Sequence, residues 1–144
     1  MSAGDDVRLM RRAIAAAMRN LGQTRPNPTV GCVIARDGDV IAEAATASSG
    51  RPHAEEQALA LCGDAAMGAV AYVTLEPCGE RSSGAPSCSE LLVAAGVARV
   101  VVACADSSPL ASGRGVERLR GAGVFTELGV LADEAAALYV GYRT

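Results

Sequence analysis

Val97 to Ala103 is a nearly unbroken apolar run, interrupted only by Arg99, and it constrains the fold more than any other segment. Such a run lacks the polar alternation of a strand with one wet face. It reads as a strand buried on both faces, the situation of a parallel sheet covered by helices. The rest of the chain fits that demand. Val30 to Ala35 and Val40 to Ala45 read as strands joined by Asp37-Gly38, a strong hairpin turn. Val70 to Leu75 is a further strand, and Val124 to Leu128 the last.

Helical patterns fill the intervals. From Asp5 to Asn20 the positions Val7, Met10, Ile14, Ala17, Met18 and Leu21 recur at helical spacing, with Asp5 and Asp6 at the positive end and Gly22 as a stop. Further helices are expected from His53 to about Cys62, from Cys88 to Ala95, up to Gly121, and from Ala132 to Tyr142. A hairpin followed by alternating helices and strands predicts an α/β/α sandwich around a mixed sheet of about five strands. No repeat or linker divides the chain, so residues 1–144 are expected to form one domain.

Half of the residues are apolar, yet there is one Phe, three Tyr and no Trp. The core must be built from Ala, Val, Leu and Ile, which suits helices on a sheet. A net charge of −3 argues against a general nucleic-acid or anionic-membrane surface. No apolar stretch is long enough to span a bilayer and no secretory leader is visible, so a cytoplasmic protein is expected. The five cysteines are then better candidates for metal binding or burial than for disulfides.

The chemistry concentrates around the single histidine, His53. It stands in Pro52-His53-Ala54-Glu55, followed by Leu75-Glu76-Pro77-Cys78 and then Cys88. Catalytic zinc takes three protein ligands and keeps an open position, and His53, Cys78 and Cys88 supply three. Cys78 follows a strand, at the carboxyl edge of the sheet where functional residues gather. Cys88 opens a helix, whose positive end favours a thiolate. Glu55 stays beside the metal without binding it, as the proton carrier of a hydrolytic deamination must. Cys32, Cys62 and Cys104 are expected in the core.

These residues resemble the cytidine deaminase-like superfamily. Pro26-Asn27-Pro28-Thr29-Val30-Gly31-Cys32, Gly50-Arg51-Pro52-His53-Ala54-Glu55 and Tyr72-Val73-Thr74-Leu75-Glu76-Pro77-Cys78 look like the riboflavin-biosynthesis pyrimidine deaminases in particular. The resemblance implies zinc on His53, Cys78 and Cys88, Glu55 as proton shuttle, and substrate contacts from Asn27, Ala54 and Asp106. It implies a diaminopyrimidinone carrying a ribosylamino phosphate as substrate, and a homodimer or tetramer. Bacterial members usually carry a reductase domain after the deaminase; none is expected in a chain ending at Thr144.

Three departures fall on the substrate side. Thr46 stands where the family usually has a histidine. Glu80 follows Cys78 closely where the family usually has Ser-His, and Ser108 lies in an altered Asp-Pro-Asn-Pro. A carboxylate at Glu80 would oppose a phosphorylated substrate. A related pyrimidine, purine or pterin is therefore the alternative substrate. A tRNA adenosine deaminase would want two residues between its cysteines and a basic surface, and this chain has neither. A non-catalytic zinc-binding paralogue would have no use for Glu55.

Overall fold

The computed structural model describes residues 3–25, 27–79, 86–106 and 113–140. Helix α1 (Ala3–Met18) precedes a hairpin of β1 (Gly31–Arg36) and β2 (Asp39–Ala45). Then come α2 (Ala54–Cys62), β3 (Val70–Leu75), α3 (Cys88–Ala95), β4 (Arg99–Cys104), α4 (Arg114–Gly121), β5 (Phe125–Leu128) and α5 (Ala132–Ala136). The strands form one sheet in the order β2-β1-β3-β4-β5. β1 is antiparallel to β2 and β3, whereas β3, β4 and β5 run parallel. The expected mixed sheet of five strands is the one observed.

The valine run behaves as its composition requires. Val100 and Val102 join Cys32, Ile34, Val73, Ala58, Leu92 and Leu119 on the face covered by α2, α3 and α4. Val101 joins Leu9, Met10, Ala13, Val33, Tyr72 and Ala135 on the face covered by α1 and α5. The three-layer sandwich follows from this alternation. The hairpin turns through Asp37 and Gly38, both at positive φ, as the Asp-Gly pair predicts.

Two helices depart from the reading of their sequence. In α1 the buried stripe is Leu9, Met10, Ala13, Ala16 and Ala17, while Met18 and Leu21 are about half exposed. The helix is rotated toward its alanines because it packs backbone to backbone on β1. A Cβ on Gly31 would lie 1.9 Å from the Ala13 carbonyl oxygen, so only small residues fit that seam. The last helix is shorter than expected. After Ala136 it tightens into a single 3-10 turn, Ala137–Tyr139, and Val140 is extended.

Tyr139 explains that tightening. Its hydroxyl donates to the Thr29 carbonyl at 3.0 Å and meets Thr74 Oγ1 at 2.7 Å. Thr74 Oγ1 in turn accepts from the Gly31 amide at 3.0 Å. With Tyr139 donating to Thr29, Thr74 donates to Tyr139, and each of these two hydroxyls both donates and accepts. Among the other cysteines, Cys32 is buried as expected, but Cys62 and Cys104 are only partly so.

Asp6 does more than complement a helix terminus. It is buried and accepts from Tyr72 at 2.7 Å and from Arg99 at 2.9 and 2.7 Å. Arg99 also reaches Glu127 at 2.5 Å, so one guanidinium ties α1 to β4 and β5. The Arg99 hydrogen bonds hold the Asp6 carboxyl below its ordinary range against the opposing effect of burial. A depressed folded-state value gives stability present above the unfolded value, near pH 4, and lost as pH falls through the folded one. Asp6→Asn should therefore cost about 3 kcal/mol at neutral pH. In chemical denaturation the gap to wild type should close below about pH 4; a gap independent of pH would contradict the pairing.

Candidate active site

The parallel strands β3 and β4 end on the same side of the sheet, and the amino ends of α2 and α3 face that edge. The path into α2 is fixed before its first turn. Gln57 Nε2 donates to the carbonyls of Ala45 at 2.7 Å and Pro52 at 3.0 Å, and the Arg51–Pro52 peptide is cis. His53 is the N-cap of α2, and its amide donates to Glu56 Oε2 at 3.1 Å. The imidazole is thereby aimed from a braced backbone.

Cys78 leaves β3 after Glu76, whose amide still bonds to the Cys104 carbonyl at 2.8 Å. Cys88 is the first residue of α3, capped by Ser87, whose Oγ accepts from the Glu90 amide at 3.2 Å. Two bonds join the cysteine segments: Ser89 N to the Cys78 carbonyl at 3.1 Å, and Cys88 N to Cys78 Sγ at 3.1 Å. An amide donating to sulfur favours the thiolate, the form that binds metal.

His53, Cys78 and Cys88 offer ligand atoms that all lie within 4.8 Å of one another. His53 Nδ1 is 3.4 Å from Cys88 Sγ. Tetrahedral zinc, with bonds of about 2.0 Å to nitrogen and about 2.3 Å to sulfur, sets its ligands roughly 3.5–3.8 Å apart. One imidazole and two thiols at this spacing, with the remaining side open to a cavity, fit a three-ligand zinc site.

That cavity, of about 170 Å³, is lined by Asn27, Pro28, Val30, Thr46, His53, Glu55, Leu75, Glu76, Cys78 and Asp106. Glu55 is 4% exposed. Burial pushes its carboxyl up to about 7; its own backbone amide opposes this, the neighbouring Cys78 adds to it, and His53 opposes it. A carboxyl that exchanges its proton near neutrality is what proton relay requires. Burial likewise pushes the Tyr139 phenol up; the hydrogen bond with Thr74 opposes this, and Cys104, Glu55 and Asp106 add to it.

The structure brings Asn27, Thr46, His53, Glu55, Cys78 and Asp106 to one cavity, with Cys88 at its metal-facing side. Asn27 Nδ2 donates to the Gly50 carbonyl at 3.0 Å, which orients its amide. Gly50 must be glycine there: φ is +93°, and a Cβ would sit 2.7 Å from the Thr24 carbonyl oxygen. Ala54 packs in the core with Ala58 and its side chain does not line the cavity. Thr46 is buried, and its hydroxyl accepts from the Val30 amide at 2.9 Å. That hydroxyl ties β2 to the approach to β1. Glu80 and Ser108 lie outside the described residues.

Sequence reasoning missed Glu76 and Tyr139. Glu76 is buried, and its carboxylate accepts from the amides of Asp106, Gly113 and Val116. A charged residue closing an apolar strand was the available signal. For Tyr139, whose partners lie at Thr29 and Thr74, no local signal existed.

Residues 3–104 match the family described as the cytidine and deoxycytidylate deaminase zinc-binding region. The chain belongs to this family. Within it, the chain is 46% identical over 133 residues to the riboflavin biosynthesis protein RibD of Escherichia coli, covering 92% of this chain and 36% of that protein. The RibD structure from Acinetobacter baumannii superposes with a TM-score of 0.93 at 47% identity, over 98% of this chain and 39% of that one. The diaminohydroxyphosphoribosylaminopyrimidine deaminase/5-amino-6-(5-phosphoribosylamino)uracil reductase of Thermotoga maritima gives 0.89 at 36% identity, over 97% and 40%. The chain thus spans little more than a third of the length of these three relatives. Among the described residues no helix is long and apolar enough to cross a membrane.

Proposed function

We propose that residues 1–144 form a zinc-dependent hydrolytic deaminase domain whose substrate is a diaminopyrimidinone bearing a ribosylamino phosphate, in riboflavin biosynthesis. One observation carries this reading: His53, Cys78 and Cys88 converge beside the buried carboxyl of Glu55, in one cavity. The likeness to RibD proteins supports the substrate class.

In this reading His53, Cys78 and Cys88 hold the metal. Zinc supplies a Lewis acid that brings the ionisation of water toward the neutral range. Glu55 accepts the proton of the attacking water, then passes protons to the ring nitrogen and to the departing amine, leaving a carbonyl and ammonia. Its burial keeps bulk water from short-circuiting that relay. Asn27, its Nδ2 engaged by Gly50, presents the amide oxygen to a substrate N–H donor. Asp106 forms part of the cavity wall. The alternative purine or pterin substrate rests on Thr46, Glu80 and Ser108, of which Thr46 lines the cavity. The same reading carries a cytoplasmic homodimer or tetramer, which light scattering on the purified protein tests.

The experiment is ammonia release by zinc-loaded protein across phosphorylated and unphosphorylated aminopyrimidines, aminopurines and pterins. The phosphorylated diaminopyrimidinone is expected to give the highest kcat/KM. A purine or pterin in first place would overturn the substrate, and no release from any compound would overturn the deaminase.

A further inference from the structure

Helix α4 begins without a cap of its own. Its N-cap is Gly113, at φ +80° and with no side chain to bond the first-turn amides. Such amides are normally satisfied by a Ser, Thr, Asp or Asn at the cap. Here the acceptor comes from the end of β3. Glu76 Oε1 accepts from Gly113 N at 3.0 Å and from Asp106 N at 3.2 Å, and Oε2 accepts from Val116 N at 3.1 Å.

The surrounding packing leaves little play. A Cβ on Gly115 would lie 1.8 Å from the Pro77 carbonyl oxygen, and one on Gly79 would lie 2.9 Å from Arg114 Cβ. The first turn of α4 is therefore in backbone contact with Pro77 to Gly79, the segment carrying Cys78. Glu76 and Asp106 both line the cavity. A local cap would have stabilised α4 equally well. A carboxylate placed two residues before Cys78 also sets the distance between the cysteine segment and the Asp106 wall.

We propose that Glu76 is a positioning residue for substrate binding, its carboxylate locking Asp106 and the start of α4 against the Cys78 segment. The role rests on the deaminase reading above. It acts through Asp106 and the cavity wall, so it belongs to binding, whereas Glu55 serves the chemical step. Gln offers one acceptor oxygen, and its amide group would confront an N–H where Glu76 presented oxygen. The wall loosens while the ligands of the metal are left in place.

The test compares wild type, Glu76→Gln and Glu76→Asp, all zinc-loaded, on the diaminopyrimidinone ribosylamino phosphate. Glu76→Gln should raise KM about tenfold with kcat within about threefold. Zinc content should stay at the wild-type level, and amide exchange at Asp106, Gly113 and Val116 should quicken. Glu76→Asp, whose carboxylate is withdrawn by one methylene, should show the same split and serves if the Gln variant does not fold. Unchanged KM in an active protein overturns this role alone. Loss of zinc with a matching fall in kcat also overturns it, since Glu76 would then serve the ligand segment. A zinc-loaded wild type without turnover removes the deaminase reading and this role with it.

Discussion

Glu55→Gln is expected to lower ammonia release by about 10²–10⁴-fold, with zinc content and melting temperature near wild type. The substitution keeps the shape of the side chain and removes its ability to carry a proton. Stability should not fall, because burial already disfavours the charged form of Glu55 and pushes its carboxyl up to about 7. An amide suffers less from the same burial. Among the described residues that line the cavity, Glu76 and Asp106 also carry carboxyl groups. Glu76 already accepts from three backbone amides, which hold it in the wall. If Glu55→Gln keeps more than about a tenth of the wild-type rate, the proton carrier lies elsewhere, with Asp106 the first to test. Single-turnover ammonia release, measured beside zinc content, reads both halves of the expectation.

The second large effect is on stability. Gly115→Ala should cost about 3 kcal/mol, the range of overpacking in a closely packed interior. The new methyl would meet the Pro77 carbonyl oxygen at 1.8 Å, and neither backbone can yield without moving the other. For a domain of this size the melting temperature should drop by roughly 10 °C. Zinc affinity should fall with it, because the displaced carbonyl immediately precedes Cys78. Gly121→Ala is the control within the same helix. A Cβ there meets nothing within 4 Å, so helix propensity alone acts and stability should rise by up to about 1 kcal/mol. Thermal melts of both variants decide the matter. Equal effects at the two positions would mean that the contact between α4 and Pro77 is not made.

What could be read from the chain divides along physical lines. Val97 to Ala103 declared a doubly covered strand because composition alone decides whether both faces can be dry. His53, Glu55, Cys78 and Cys88 could be singled out because imidazole, thiolate and carboxylate chemistry needs those side chains and no others. The spacing of apolar residues in α1 weights the larger side chains over alanine. The close seam between Ala13 and Gly31 inverts that weighting. Glu76 escaped because its partners are backbone amides at 106, 113 and 116, which carry no signature in sequence. Thr46 lines the cavity while its hydroxyl accepts from the Val30 amide, a tie to backbone that carries no signature in sequence. Tyr139 could not be anticipated either, since its role exists only once β1 and β3 lie side by side.

The reaction itself is tested most directly by running it in water enriched in heavy oxygen. The zinc-loaded protein is incubated with the diaminopyrimidinone ribosylamino phosphate, and ammonia and product mass are measured together. One ammonia released per product, with a single heavy oxygen at the carbon that lost its amine, is the expected result. A folded, zinc-loaded protein that releases no ammonia, or whose product carries no oxygen from water, would contradict hydrolytic deamination at this site.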